Sequence, residues 1–223
     1  MTPADDGGQA YLERIRARLR AGELPGYAAQ EIMGHELRQE YSAAPPTARA
    51  ASVLALIYPI RDVYHLLFIQ RTSPPGDRHG GQISFPGGSA DPGDESAAAT
   101  ALREAEEEIG IDPGRVDLLG ELTPLYIPVS NFLVNPFVGY LPERPAFTLQ
   151  VSEVARVLEL PLAGFFGEGV VARRDKKLYN GLLLRDVPHW LVSGEAIWGA
   201  TAMMVGELVA IGKPLDASEA SNG

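Results

Sequence analysis

Leu12, Ile15 and Leu19 recur at helical spacing, so residues 11–21 (YLERIRARLRA) read as a helix that Gly22 ends. A second short helix follows Pro25-Gly26, and Pro45-Pro46 closes this opening section. Residues 52–60 (SVLALIYPI) and 64–70 (YHLLFIQ) are apolar runs joined by the short polar pair Arg61-Asp62, as two hairpin strands would be. Gly, Pro, Ser and Asp dominate residues 71–94, which predicts a loop with one short strand at 82–85. Residues 96–109 form the clearest helix, with Gly110 just past its end. Further strands are expected at 117–122, 131–140 and 182–187, and helices at 151–158 and 197–211. This irregular interspersion predicts an α/β fold of the α+β type, a mixed β-sheet sandwiched between α-helices. Residues 1–47 are expected to be a helical extension packed on the same domain. Residues 48–215 form the main domain, and 216–223 a flexible polar tail.

Composition changes this picture mainly by exclusion. The 223 residues are 45% hydrophobic and 22% charged, ordinary for a globular chain of one domain. With no cysteine, disulfides, thiolate metal sites and cysteine nucleophiles are excluded. The acidic opening residues lack the apolar core of a secretory signal, and no run reaches the roughly 18 apolar residues that span a membrane. A cytoplasmic protein without a membrane partner is the expectation. The formal charge of −10 argues against generic nucleic-acid binding, but local arginines and a divalent cation can still make a site for a phosphorylated small molecule. The N-terminal helix could cover a sheet edge or build a homodimer contact.

The chemistry concentrates on the helix at 96–109. Ala98, Leu102, Ala105 and Ile109 make a narrow apolar stripe, while Glu104, Glu107 and Glu108 share a different arc of roughly 100°. An acidic stretch is usually a solvated helix face. Here, however, like charges at i,i+4 destabilise the helix by roughly 0.2–0.5 kcal/mol per pair, and the acids lie where the macrodipole favours cations. Arg103 relieves part of this, and a hard divalent cation would relieve the rest. The preceding Phe85-Pro86-Gly87-Gly88 either brings flexible backbone to the helix, where a carbonyl, that of Gly88, could complete a metal shell, or is an ordinary Gly/Pro turn.

Residues 88–111 (GSADPGDESAAATALREAEEEIGI) resemble the Nudix box, G-x5-E-x7-R-E-U-x-E-E-x-G-U, where U is bulky and apolar. Glu95, Arg103, Glu104, Glu107, Glu108, Gly110 and Ile111 fall at its spacing. Six residues instead of five separate Gly88 from Glu95, and Asp94 occupies the shorter spacing. The resemblance implies a Nudix fold and hydrolysis of a nucleoside diphosphate linked to another group. It implies that Glu104, Glu107 and Glu108 hold Mg²⁺ or Mn²⁺, that Arg103 orients a box carboxylate, and that Glu104 or a downstream acid such as Glu153 is the base.

Upstream, residues 66–88 resemble the additional signature of coenzyme A pyrophosphatases within the superfamily, L-L-T-x-R-S-x3-R-x3-G-x3-F-P-G-G. Arg71, Thr72, Gly81 and the run from Phe85 to Gly88 match it, and Arg78 is displaced by one place. The resemblance implies coenzyme A or its derivatives as substrate, giving 3′,5′-ADP and 4′-phosphopantetheine. ADP-ribose, NADH or another nucleoside diphosphate derivative is the alternative, and a nucleotide-sensing domain without turnover is a third. Arg71 and Arg78 could meet phosphate oxygens or pair with acids such as Asp77 and Asp94. Ser130 and Asn131 could bind substrate or cap a loop. His79 could approach the diphosphate or be incidental, and Trp198 reads as core in preference to an adenine platform.

Overall fold

The computed structural model describes residues 6–35, 43–72, 80–178 and 181–214. The apolar runs of β1 (Arg49–Ile60) and β2 (Val63–Arg71) reflect strands covered on both faces. In β1, Ala51, Ala55 and Ile57 face one core, while Leu54, Leu56 and Tyr58 face the other. In β2, Leu66 and Phe68 alternate with Leu67 and Ile69 in the same way. The short strands β3 (Ile83–Ser84) and β4 (Gly87–Ser89) pair antiparallel with β2 and β1.

The main sheet runs β3-β2-β1-β7-β5, where β5 is Asp117–Glu121 and β7 is Phe132–Tyr140. The β1–β7 pair is parallel, so the sheet is mixed. Strand β6 (Leu125–Ile127) pairs with β7, and β8 (Val154–Pro161) pairs with β2. Helices α1 (Asp6–Ala21), α2 (Tyr27–Glu31) and α4 (Gly199–Gly212) contribute to one core, and α3 (Ala97–Ile109) to the other. A second sheet, β11-β10-β9, comprises Val171–Lys177 (β9), Leu183–Val192 (β10) and Glu195–Trp198 (β11). Among the described residues no helix is long and apolar enough to cross a membrane.

Three expectations are corrected. Residues 151–158 are not a helix: a turn at 151–153 leads into β8, which pairs with β2 from His65 to Arg71. Val154 and Val157 are β-branched and fit a strand that the open edge of β2 recruits. The helix expected from 197 starts at Gly199, because Ile197 and Trp198 belong to β11. The strand expected at 182–187 continues to Val192. The polar tail at 216–223 lies outside the described residues.

Helix α1 is tied to α4 by its arginines. The Arg14 Nε donates to the Gly212 carbonyl at 2.6 Å, and Arg18 to that of Ala210 at 3.0 Å. Both cations thus meet the carbonyl end of α4, where the macrodipole is negative. A buried polar staple joins α2, α4 and the segment after β5. Glu207, 0% exposed, accepts hydrogen bonds from Gln30 Nε2 at 2.8 Å, the Thr123 N–H at 3.0 Å and the Thr123 hydroxyl at 2.6 Å. Glu207→Ala orphans these donors and is expected to destabilise the fold by about 3 kcal/mol, read as a lower urea midpoint at unchanged slope. An unmoved midpoint would show the staple to be energetically neutral.

Candidate active site

Ser96 starts α3 by accepting the Ala99 N–H at 3.1 Å, and Gly110 ends it in the left-handed region at φ 74°. Ala101, Ala105 and Ile109 are fully buried against the sheet, whereas Leu102 is only partly so. The small side chains at 101 and 105 seat the helix on the sheet, and its rotation carries Glu108 into the interior. Glu108 is 2% exposed. Its Oε2 accepts the Gly87 N–H at 2.9 Å, and its Oε1 lies 3.7 Å from Arg71. Burial pushes the Glu108 carboxyl up to about 7 against the lowering effects of that N–H and of Arg71; Glu104 and Glu153 raise it further.

The Glu104 carboxyl is also raised by burial, an effect that Arg103 opposes. It lies against Gly88 so closely that a Cβ there would come within 2.5 Å of its carboxyl carbon. Glu107 is exposed and faces Arg103 at 3.2 Å. Among the described residues no group of three or more His, Asp or Glu side chains is placed to hold a metal ion as it stands.

Arg103 organises the helix and the loop before it. Its Nε and one terminal nitrogen donate to the two Asp94 oxygens at 2.9 and 3.1 Å, that same terminal nitrogen donates to the Ser89 carbonyl at 3.0 Å, and the other to Glu104 at 3.0 Å. The carboxylate it grips is therefore Asp94, while Glu95 is exposed. Arg103, the Asp91 N–H and the Thr100 hydroxyl hold Asp94 well below the usual carboxylate range.

Of the remaining candidates, Arg71, Ser130 and Trp198 line a cavity of about 570 Å³, whose wall also includes Gly87, Gly88 and Met204. Arg71 pairs with Glu108 and not with Asp94, and its buried Nε has no hydrogen-bond partner among the described residues. Asn131 does not line the cavity; it accepts from the Tyr126 hydroxyl at 2.9 Å and donates to the Thr47 carbonyl at 2.9 Å, in a left-handed backbone. Arg78, Asp77 and His79 lie outside the described residues. Glu153 sits in the turn before β8, not on a helix, and its charge acts on both Glu104 and Glu108.

Trp198 is half-buried at the cavity wall and is not a core residue. The core indole is Trp190, whose N–H donates to the Ala202 carbonyl at 3.0 Å. Aromaticity alone did not distinguish the two; alternation along β10, with its partner register, does.

The site is thus a glycine loop set against acids on one helix, carried by a mixed sheet between helices. A Nudix domain matches residues 48–154. An uncharacterized Nudix hydrolase NudL of Photorhabdus laumondii is 39% identical over 142 residues, covering 64% of this chain and 74% of that protein. One of Cronobacter sakazakii is 34% identical over 177 residues, covering 77% and 87%. A MutT/nudix family protein from Enterococcus faecalis, of known crystal structure, gives a TM-score of 0.49 at 17% identity, covering 77% of this chain and 64% of that one. The chain belongs to the Nudix hydrolase family. It is a hydrolase of pyrophosphate bonds in nucleoside diphosphate derivatives, and the enzymes of this family generally need a divalent metal.

Proposed function

We propose that Glu104, Glu107 and Glu108, with the Gly88 carbonyl, hold Mg²⁺ or Mn²⁺, and that the substrate is coenzyme A or a derivative, cleaved to 3′,5′-ADP and the 4′-phosphopantetheine portion. Glu108 carries this reading. A carboxylate 2% exposed, compensated by one backbone N–H and a guanidinium at 3.7 Å, is suited to a cation ligand. The missing side chain at Gly88 keeps open the space beside Glu104.

A divalent ion there supplies Lewis-acid neutralisation of the diphosphate and a lowered pKa for water. The chain's own residues do the positioning. Arg103 fixes Glu104 and Glu107 relative to the loop, and the Arg71 guanidinium on the cavity wall can donate to a phosphate oxygen. Glu104 and Glu153 are the candidates to accept a proton from the attacking water. The largely apolar remainder of the cavity suits a pantetheine arm.

Incubating the protein with coenzyme A and Mg²⁺ or Mn²⁺, then separating products, tests the substrate. No 3′,5′-ADP above a metal-free control rejects it, and a panel including ADP-ribose and NADH ranks the alternatives by kcat/KM. The metal assignment has its own signature. Glu108 must lose a proton to ligate, so the Mg²⁺ concentration for half-maximal activity should fall as pH rises through about 7. A requirement independent of pH would count against Glu108 as a ligand.

A further inference from the structure

Strand β9 is the most cationic element of a chain whose formal charge is −10. Its charges divide between two faces. On one face Arg173 pairs with Asp186 at 3.1 Å and Asp175 with Arg185 at 3.2 Å, with Lys177 at the end of the strand beyond them. The other face carries Arg174 and Lys176, which form no ion pair with a carboxylate among the described residues.

Register fixes where that second face looks, because residues opposite each other in an antiparallel ladder project to the same side. Arg174 is opposite Val187, Lys176 opposite Leu184, and His189 opposite Trp198. Val187, Leu184 and Trp198 all line the cavity that reaches Gly87, Gly88 and Arg71. The Lys176 Nζ lies 4.8 Å from the Trp198 ring centroid. Burial holds His189 below its usual range, and Lys176 and Arg174 add to that depression, which places both charges near it. Two cationic groups thus adjoin the cavity: Arg71 on its wall beside the carboxylate helix, and this ledge, which is not itself part of the lining, beside the lining residues Val187, Leu184 and Trp198.

We propose that Arg174 and Lys176 bind a second phosphate, a phosphomonoester on the ribose of the nucleotide substrate, with Trp198 as the adjoining aromatic wall. This deepens the coenzyme A reading and rests on its premise of a nucleotide substrate. A diphosphate engages one of these cationic groups, and a substrate with a further phosphate engages both. Arg174 and Lys176 are specificity residues in this scheme and take no part in bond cleavage.

The test measures binding of adenosine 3′,5′-bisphosphate and of AMP to the full chain by calorimetry, with turnover of coenzyme A and its 3′-dephospho form in parallel. The parent should bind the bisphosphate about tenfold more tightly than AMP, as one well-placed charge-assisted contact would give. Arg174→Gln/Lys176→Gln should bring that ratio close to one, and the ratio of kcat/KM for the two coenzymes should fall with it, mainly through KM. Lys176→Arg should retain the preference, and so should Arg173→Gln on the opposite face. A parent with no preference, a double variant with an intact ratio, or an equal loss in Arg173→Gln overturns the proposal. If coenzyme A is not cleaved but the bisphosphate preference is present and lost in the double variant, the ledge stands and the substrate reading falls.

Discussion

On the proposed metal assignment, replacing Glu108 by Gln is expected to lower kcat by about 10³-fold at saturating Mg²⁺, since metal-borne charge stabilisation is worth several kcal/mol at the transition state. The amide keeps the shape of the carboxylate and can still accept the Gly87 N–H, so the loss reports charge more than packing. Stability should move the other way. Glu108 titrates at about 7 in the fold, above an unfolded carboxylate. Its favourable contribution is complete below the unfolded pKa and lost as pH rises through about 7. The metal-free variant is therefore expected to melt above the parent in alkaline buffer, and to lose that advantage in acid. Thermal melts at several pH values, run alongside steady-state kinetics, check both halves. Full activity in Glu108→Gln would overturn the metal assignment.

The second large effect separates two adjacent glycines. At Gly87, φ is 150°, and a Cβ would meet the Ser52 carbonyl oxygen at 2.3 Å and the Val53 Cα at 2.6 Å. Neither atom can swing aside, because both belong to the β1 backbone that pairs with β4. Gly87→Ala should cost about 4 kcal/mol from backbone strain and overpacking together, seen as a fall in urea midpoint. At Gly88 the obstruction is the Glu104 carboxyl, the end of a side chain. Gly88→Ala should keep most of the stability while lowering kcat by about a hundredfold, through a misplaced carboxylate. Equal stability losses in the two variants would contradict this division.

The parts of the fold legible in sequence are those where local pattern and final environment agree. The β1 and β2 runs are apolar throughout because cores lie on both their faces, and Ser96 and Gly110 mark α3 through their own backbone chemistry. β8 was illegible because a short run of Val and Leu satisfies helical and strand spacing alike, and only pairing with β2 decides. β9 (VARRDKK) has no apolar alternation and exists as a strand through its ladder with β10. In the site, spacing grouped Glu104, Glu107 and Glu108 but left their environments undetermined. That Glu108 is buried, Glu104 half-buried and Glu107 exposed follows from how Ala101 and Ala105 seat the helix. The grip of Arg103 on Asp94 depends on loop geometry that a one-residue change in spacing only hinted at.

The arginine clasp between α1 and α4 bears on the order in which the molecule can assemble. Arg14 and Gly212 are 198 residues apart, yet they are hydrogen-bonded neighbours. During synthesis, Leu12, Ile15 and Leu19 emerge early, and the helix that receives them emerges far later. Contacts of such long sequence separation slow folding and prolong the exposure of apolar surface. Strand β5 can cover Leu19 earlier, against Gly120, but the stripe stays incompletely covered until α4 is made, and the docking of these two helices closes the core.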